Sequence, residues 1–336
     1  MLVIRPVRST DVDSFELLVN QTPYGLSSLP KNRAFLEERI ANSLFTFNYN
    51  TEKPSGGSFL FVLEDLPTGR ILGSCGIVSK VGGFEPFYAY SIESIQKQVP
   101  ELNLQQNLRV LHLHRDHSGP CEVGSLFLLP QYRQKGVGRF LSLSRFMFMA
   151  QFPKAFDPSV VAKLRGVITD TGESLFWEAV GRQFFGVDFA TADHLTALDK
   201  RILAELMPTY PIYIDLLPPE AQQIIGQVDP QTAGAMRILR GQGFEVCDMV
   251  DLFEAGPIMR AALHDIHVVR ESRVLTVRSI ERWENEKPTH LVSNTHIHFR
   301  IAMGAIRVEG GEAVIPMQLA DALQVDEGMP VRVYPL

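Results

Sequence analysis

The chain has 336 residues, of which 45% are hydrophobic and 21% charged, so collagen-like, disordered and highly charged classes of protein are excluded. This length suggests two domains, or one large domain with an appendage. The formal net charge of −6 excludes a general electrostatic attraction to nucleic acid, so any bound anion must be held locally.

The first part of the chain is predicted to be mostly strands, with one helix that carries Phe15 and Leu18 close behind the first strand. A turn at 65–69 contains Pro and Gly and joins two apolar runs into a β-hairpin. The periodicity of 82–106 is poor, which predicts a long loop that leaves the scaffold. The predicted strands are 2–7, 59–63, 71–78, 108–114 and 122–129.

The second part of the chain alternates helices and strands before it changes to strands and turns. The Asp229-Pro230 pair predicts the start of a helix that ends at Leu239, because Asp is a good N-cap and Pro a good first residue. We divide the chain into a larger region, 1–264, and a small, mostly β C-terminal appendage, 265–336. Helices are predicted over 139–152, 176–184, 192–205, 219–225 and 317–323, and strands over 160–168, 244–253, 297–308, 313–316 and 331–334.

The cysteines and the apolar runs indicate in which cellular compartment the protein is found. Cys75, Cys121 and Cys247 are odd in number and far apart, which argues against a disulfide framework, and they lack the spacing of metal ligands. No apolar run approaches the roughly 18 residues that a membrane span needs, and the N-terminal stretch lacks a signal-peptide core. We therefore expect a cytoplasmic protein that binds no metal, no membrane and no nucleic acid.

The strongest local motif is Arg133-x-x-Gly136-x-Gly138, between an apolar strand and an apolar helix. Glycines let a loop turn its N–H groups toward a ligand, and the following helix N-terminus favours negative charge, so the motif predicts a pyrophosphate site. Lys135 and Arg139 add positive charge. No Gly-Lys-Ser/Thr follows, and Arg133 replaces the first glycine of a Rossmann fingerprint, so neither of those motifs is present. A plain glycine turn is the alternative.

This motif, in a chain that opens Ile4-Arg5-Pro6 and continues to Asp11, resembles the acyl-CoA-binding loop of the GNAT acyltransferases. The resemblance implies an α/β, GNAT-like acyl-CoA N-acyltransferase fold in which the loop amides hold the CoA pyrophosphate and the preceding splayed strand receives the pantetheine arm. The CoA-binding residues that it implies are Arg133, Gln134, Lys135, Gly136, Val137, Gly138 and Arg139.

Further stretches are similar to the arginine N-succinyltransferase family over nearly the whole chain, among them 28–30, 144–150, 204–208 and 226–228. Membership would imply transfer of a succinyl group from succinyl-CoA to the α-amino group of L-arginine, in arginine catabolism, with succinyl-CoA as co-substrate and no metal or prosthetic group. The family's acyl-CoA contact on the strand maps to Leu126. Homo-oligomers or mixed oligomers of related subunits are also implied.

One departure from the family concerns the proton donor. The family has a histidine where this chain has Asp229, and an unperturbed aspartate is protonated to only about one part in a thousand at pH 7. Asp229 either caps the helix alone or also has a catalytic or orienting role. Trp177 and Leu239 occupy positions where many GNAT enzymes carry a tyrosine proton donor. His117, beside Asp116, is a weaker alternative proton carrier.

Substrate recognition requires a cation for the succinyl carboxylate and carboxylates for a guanidinium. Arg145 or Arg165 could bind the succinyl carboxylate, and Glu122, Glu173 or Glu205 could bind the guanidinium. For each of them a structural ion pair is the alternative.

Two other functions of the protein stay open. One is an acyltransferase for a different amine or acyl donor, and the other is a non-catalytic subunit of a mixed assembly.

Overall fold

The structure, a computed structural model, describes residues 1–22, 28–49, 52–83, 86–133, 136–198, 201–283 and 286–336. The strands of these residues are β1 Leu2–Pro6, β2 Ser58–Asp65, β3 Arg70–Val78, β4 Phe87–Val99, β5 Leu104–Asp116, β6 Cys121–Leu128, β7 Ser159–Lys163, β8 Ile212–Tyr213, β9 Glu245–Val250, β10 Pro257–Ala262, β11 Arg273–Glu281, β12 His290–Asn294, β13 Ile301–Gly304, β14 Arg307–Glu309, β15 Glu312–Pro316 and β16 Pro330–Pro335.

The helices of the described residues are α1 Val12–Val19, α2 Arg33–Tyr49, α3 Val137–Gln151, α4 Leu175–Ala179, α5 Gly181–Phe185, α6 Phe189–Leu198, α7 Arg201–Leu206, α8 Pro219–Ile224, α9 Ala233–Arg240, α10 His267–Glu271 and α11 Met317–Leu323. None of them is long and apolar enough to cross a membrane.

The strands join in one continuous hydrogen-bonded order, β14-β15-β11-β16-β12-β13-β1-β2-β3-β6-β7-β10-β9-β4-β5-β8. Most neighbours are antiparallel, and the parallel pair β6–β7 is an exception at the centre. Helix α3 is apolar nearly all round and therefore packs against the core. The Phe148 ring of α3 lies 5.1 Å from the rings of Phe59 and Phe61 and 5.2 Å from the ring of Phe299.

The C-terminal region continues the main sheet. Strand β13 pairs with β1 through Val3↔Ala302 and Ile4↔Ile301, and Phe299 is buried among the phenylalanines of the main core. A second apolar cluster lies beneath α11 and includes Val3 of β1. The predicted fold class, α/β and GNAT-like with a small, mostly β C-terminal region, is confirmed. The division at residue 264 stays a prediction.

The predicted loop at 82–106 is wrong, because most of it belongs to a long β-ribbon. Strands β4 and β5 pair along thirteen consecutive positions, from Phe87↔Asp116 to Val99↔Leu104. The outer half of the ribbon, beyond Glu93, is mostly exposed on both faces, so its sequence lacks the apolar alternation of a half-buried strand. Phe84 lies outside the described residues.

Smaller differences are found at element ends. The helix that begins after Asp229 starts only at Ala233, and its N-cap is Thr232, so the prediction that Asp229 caps it is wrong. The helix predicted over 176–184 is two short helices that meet at Val180, whose ψ is −71°. The strand predicted over 160–168 ends at Lys163, and that predicted over 297–308 is divided into β13 and β14.

Candidate active site

A cavity of about 400 Å³ lies where the parallel strands β6 and β7 separate. The two strands pair only through Cys121↔Val160 and Glu122↔Val161, and the residues beyond those pairs line the two walls of the cavity. Helices α3 and α9 border it as well. A gap between two parallel strands leaves their backbone groups open to a ligand, which an ordinary sheet does not.

One face of helix α3 runs along the cavity. Gly138, Leu141, Ser142 and Arg145 all line it, at the spacing of residues that share a helical face. Seven residues of helix rise by about 10 Å, so the cavity extends from the glycine loop at one end to Arg145 at the other. A long, thin ligand fits such a shape.

The glycine loop has the geometry of an anion site. Gly136 is the N-cap of α3 with a φ of +97°, which favours glycine, and the first helical bond runs from the Phe140 N–H to the Gly136 carbonyl. The amides of 137–139 precede that bond, so they are available to an anion. The Arg133 Nε donates to the Leu128 carbonyl at 3.1 Å, which holds this side chain at the rim of the cavity.

Of the predicted CoA-binding residues, Leu126, Arg133 and Gly138 line the cavity. Val137 and Arg139 are half-buried next to Gly138, Gly136 is exposed, and none of these three residues lines the cavity. Gln134 and Lys135 lie outside the described residues. The structure therefore brings the strand contact and the glycine of the loop to one cavity.

A β-bulge shapes the β6 wall. Ser125 has a φ of +52°, and it stands with Leu126 opposite Cys75 alone, because the register with β3 shifts between Gly124 and Phe127. The Ser74 hydroxyl donates to the Ser125 carbonyl at 3.0 Å, and Arg39 Nη2 donates to the Ser125 hydroxyl at 2.5 Å. A bulge leaves one residue out of the ladder, so a backbone N–H there can serve a ligand.

Arg145 is a buried cation at the inner end of the cavity. It is 3% exposed, and its guanidinium donates to the Ser142 carbonyl at 3.1 Å and to the Ser142 hydroxyl at 2.8 Å. Among the residues that the structure describes, no carboxylate forms a salt bridge with it. Burial lowers the pKa of Arg145, and a buried charge without a counter-ion is costly, which indicates an anionic ligand.

Carboxylates line the cavity on its β7 side, in a part that we call the carboxylate wall. Asp251 and Glu254 follow strand β9 and line the cavity beside Lys163 of β7. Lys163 Nζ lies 3.5 Å from the Asp251 carboxylate and donates to the Tyr88 carbonyl at 3.2 Å. Burial and the neighbouring Asp251 raise the pKa of Glu254 well above its ordinary value. Burial opposes ionisation of Asp251 too, but Lys163 and a hydrogen bond with Glu254 outweigh it and lower its pKa.

Asp229 lies next to the cavity without lining it. It is 4% exposed, and its side chain accepts the Gln231 N–H at 2.8 Å, in a turn that precedes α9. Its second carboxylate oxygen lies 3.9 Å from Nη2 of Arg165, and its own N–H donates to the Arg165 carbonyl at 3.0 Å. Arg165 does line the cavity, so Asp229 contacts a residue of the site.

The remaining predicted residues divide clearly. Glu122 lines the cavity, whereas Glu173 and Glu205 are exposed and do not. His117 is exposed, with Nδ1 3.0 Å from the Gly83 carbonyl, and it is no part of the cavity lining. Among the described residues, no group of three or more His, Cys, Asp or Glu side chains could hold a metal ion.

Arg39, Lys163, Asp251 and Glu254 escape the sequence prediction. They come from a helix, a strand and a turn that are far apart in sequence, and the sequence assigns none of them a role. The one signal is the stretch Asp251-x-Phe253-x-x-Gly256-Pro257, which is among those that resemble the arginine N-succinyltransferase family.

Comparison with known proteins gives a consistent result over the full length. The family model of the arginine N-succinyltransferase beta subunit matches residues 2–268, and that of its C-terminal domain matches residues 273–335. Curated arginine N-succinyltransferases of Escherichia fergusonii and Escherichia coli (strain 55989 / EAEC) are 40% and 39% identical over 338 residues, which covers 100% of this chain and 98% of each relative. The solved structure of arginine/ornithine succinyltransferase subunit AI from Pseudomonas aeruginosa has a TM-score of 0.91 at 32% identity, over 100% of this chain and 98% of that one.

Proposed function

This chain belongs to the arginine N-succinyltransferase family, and we propose on that basis that its cavity transfers a succinyl group from succinyl-CoA to the α-amino group of L-arginine. The chain is an acyltransferase, and the reaction is a step of arginine catabolism. Succinyl-CoA is a co-substrate in this proposal, and no metal is required because aminolysis of a thioester needs none.

Succinyl-CoA enters along strand β6 in this proposal. Its pyrophosphate binds the amides of 137–139 and the guanidinium of Arg133, since the helix N-terminus and the side chain both attract anions. The pantetheine arm then lies in the gap between the strands and passes Leu126. A bulge amide at Ser125 or Leu126 polarises the thioester carbonyl, because a donor fixed in place stabilises the developing oxyanion.

The single observation that carries the choice of a succinyl donor is the buried Arg145 without a carboxylate partner. It lies on the α3 face at the end away from the glycine loop, and in this proposal the acyl tail of the bound thioester reaches it. The distal carboxylate of a succinyl group supplies the missing counter-ion, and the planar guanidinium suits it. A plain acetyl group supplies no charge there.

The chemical step is direct aminolysis. The neutral α-amine attacks the thioester carbon, the carbon–sulfur bond breaks, the amine nitrogen loses a proton and the CoA thiolate gains one. Because Asp229 lies next to Arg165 and does not line the cavity, we assign it the orienting role over that of direct proton carrier. His117 stays a weaker prediction, since it lies outside the lining.

The rival functions make different demands. An acyltransferase for another amine or donor would use the same cavity with other partners for its charges. A non-catalytic subunit would have no use for a glycine loop, a splayed strand pair and a buried arginine around one cavity, and all three are present. We also propose a cytoplasmic location and a homo- or hetero-oligomer; the three cysteines are free, as in a reducing compartment.

A thiol-release assay tests the proposal. Purified protein is mixed with succinyl-CoA and, in turn, L-arginine, L-ornithine, L-lysine and a simple primary amine. We expect CoA release that depends on L-arginine, and a succinylated α-amine by mass spectrometry. Release with another amine alone would favour the first rival, and no release with any amine would favour the non-catalytic subunit.

A further inference from the structure

Glu254, in the carboxylate wall of the cavity, forms no salt bridge with the residues that the structure describes. Asp251 and Glu254 share a hydrogen bond, Glu254 is buried and Asp251 half-buried, and Asp193 of α6 lies nearby. Burial and Asp251 raise the pKa of Asp193 to about 6. Lys163 pairs with Asp251, and Arg165 lies next to Asp229 as well as Glu254. Among the described residues, Glu254 therefore has no cation that is not already close to another carboxylate.

A second observation in the same cavity also indicates a ligand. The Arg165 side chain is only 10% exposed, lines the cavity, and its Nε is buried without a hydrogen-bond partner among the residues that the structure describes. A buried donor without an acceptor is destabilising, so such groups are normally paired. A carboxylate is the acceptor that suits a guanidinium best.

The backbone holds these two groups close together. Gly166 packs against the Glu254 carbonyl and Gly256 against the Leu164 carbonyl, and a Cβ at either glycine would collide with backbone atoms. The Asp251–Gly256 turn is therefore pressed onto the extension of β7 that carries Arg165. Glu254 and Arg165 thus keep a fixed relative position before any ligand arrives.

We propose that Asp251 and Glu254 bind the cationic side chain of the acceptor amino acid while Arg165 binds its carboxylate, so that these three residues determine specificity for a basic amino acid. This inference rests on the proposed function, whose sequence-predicted carboxylates at Glu173 and Glu205 lie outside the cavity. The ligand class follows from the chemistry of the wall, because a molecule with one cation and one carboxylate can pair its cation with Glu254 and its carboxylate with the unpaired Nε of Arg165.

The wall also couples acceptor binding to a proton. A guanidinium next to Glu254 favours the carboxylate, so it lowers the raised pKa of that residue and releases its proton. Binding should therefore tighten as the pH rises through the pKa of free Glu254. The ionisable groups that act on Glu254 from neighbouring elements are Asp251, Asp193, Arg165 and Lys163.

The test compares L-arginine with L-citrulline, which has the same shape and an uncharged side chain. Glu254→Gln is the variant of choice, because glutamine resembles a protonated glutamate and should leave the empty cavity folded. Isothermal calorimetry should show at least 10-fold weaker binding of L-arginine to this variant and little change in the binding of L-citrulline. Repeating the titration in two buffers of different ionisation enthalpy gives the number of protons released, which should be smaller for the variant than for wild type. Glu173→Gln, at an exposed position outside the cavity, should behave as wild type.

Unchanged affinity for L-arginine in Glu254→Gln, with the same proton release as wild type, would overturn the inference. Loss of binding for both ligands together would also contradict it, because that result indicates a structural role. Binding needs no acyl transfer, so this outcome is separate from the thiol-release assay: a wild-type protein that binds L-arginine through Glu254 yet releases no thiol would contradict the proposed function alone.

Discussion

Arg145 shows how a single residue can trade stability for binding. Its guanidinium is desolvated without a carboxylate partner, so replacing it with an apolar side chain of similar size removes an unfavourable term from the empty protein. We expect Arg145→Met to have an unchanged or higher melting temperature without ligand, although two bonds to Ser142 are lost. A fall equivalent to about 3 kcal/mol or more, the usual cost of breaking a buried pair, would contradict an uncompensated cation.

Asp229 has a prediction of its own. Asp229→Asn keeps the oxygen that accepts the Gln231 N–H, and the charge that it loses lies 3.9 Å from Arg165, so thermal stability should fall by less than the roughly 3 kcal/mol that breaking a close buried pair costs. If Asp229 orients Arg165, the KM for L-arginine should rise by about 10-fold with little change in kcat. Steady-state kinetics checks this. A fall in kcat of roughly 10²-fold at unchanged KM would instead identify a proton carrier, and Asp229→His would then preserve or raise the rate.

The sequence predicts some residues of the site and misses others for a physical reason. Arg145 and Gly138 lie on a helix whose apolar pattern and glycine loop are local, so their shared face follows from helical spacing. Asp251 and Glu254 reach the cavity only because a turn after β9 packs against Gly166, a contact between segments far apart in sequence. Residue propensities and motif spacing describe only neighbours along the chain, so they cannot predict a contact between two segments that are far apart in sequence.

At the scale of elements, the order of strand, glycine loop and helix makes a direct prediction about CoA. A Cβ at Gly138 would meet no atom within 4 Å, so both Gly138→Asp and Gly138→Asn should fold normally. The aspartate places a negative charge next to the pyrophosphate site, and repulsion there should weaken CoA binding at least 10-fold relative to the asparagine variant of the same shape. Calorimetry with CoA measures it. Equal affinities for the two variants would remove this loop from the site.

Several elements with a buried face were predicted well, but helix α2 has a buried face and was not predicted, and the exposed half of the β4–β5 ribbon was predicted as a loop. Strand β6 and helix α3 follow from apolar runs that end at Pro130 and begin after the glycines, and the structure has both within two residues of the prediction. The outer half of the β4–β5 ribbon has water on both faces, so hydrogen bonds between the two strands stabilise it without apolar alternation. Its sequence therefore resembles a loop.

For the whole molecule, the proposed division at residue 264 makes a prediction about folding. Removing residues 265–336 would expose the edge of β1 and the apolar neighbours of Phe299 in the main core. We expect the fragment 1–264 to lose its cooperative thermal transition or to aggregate, because an exposed strand edge and a broken core favour association. Differential scanning calorimetry checks this. A fragment that melts cooperatively near the temperature of the full chain would show that the two regions fold independently.

The central claim is that Arg145 makes the cavity selective for a succinyl thioester. The most direct measurement is kcat/KM for succinyl-CoA and for acetyl-CoA, with saturating L-arginine, in wild type and in Arg145→Met. We predict that wild type prefers succinyl-CoA by at least about 10²-fold, because acetyl-CoA leaves the buried cation unpaired. In Arg145→Met the kcat/KM for succinyl-CoA should fall while that for acetyl-CoA stays the same, so that most of this preference is lost. Equal rates for the two thioesters in wild type, or an undiminished preference in the variant, would contradict the claim.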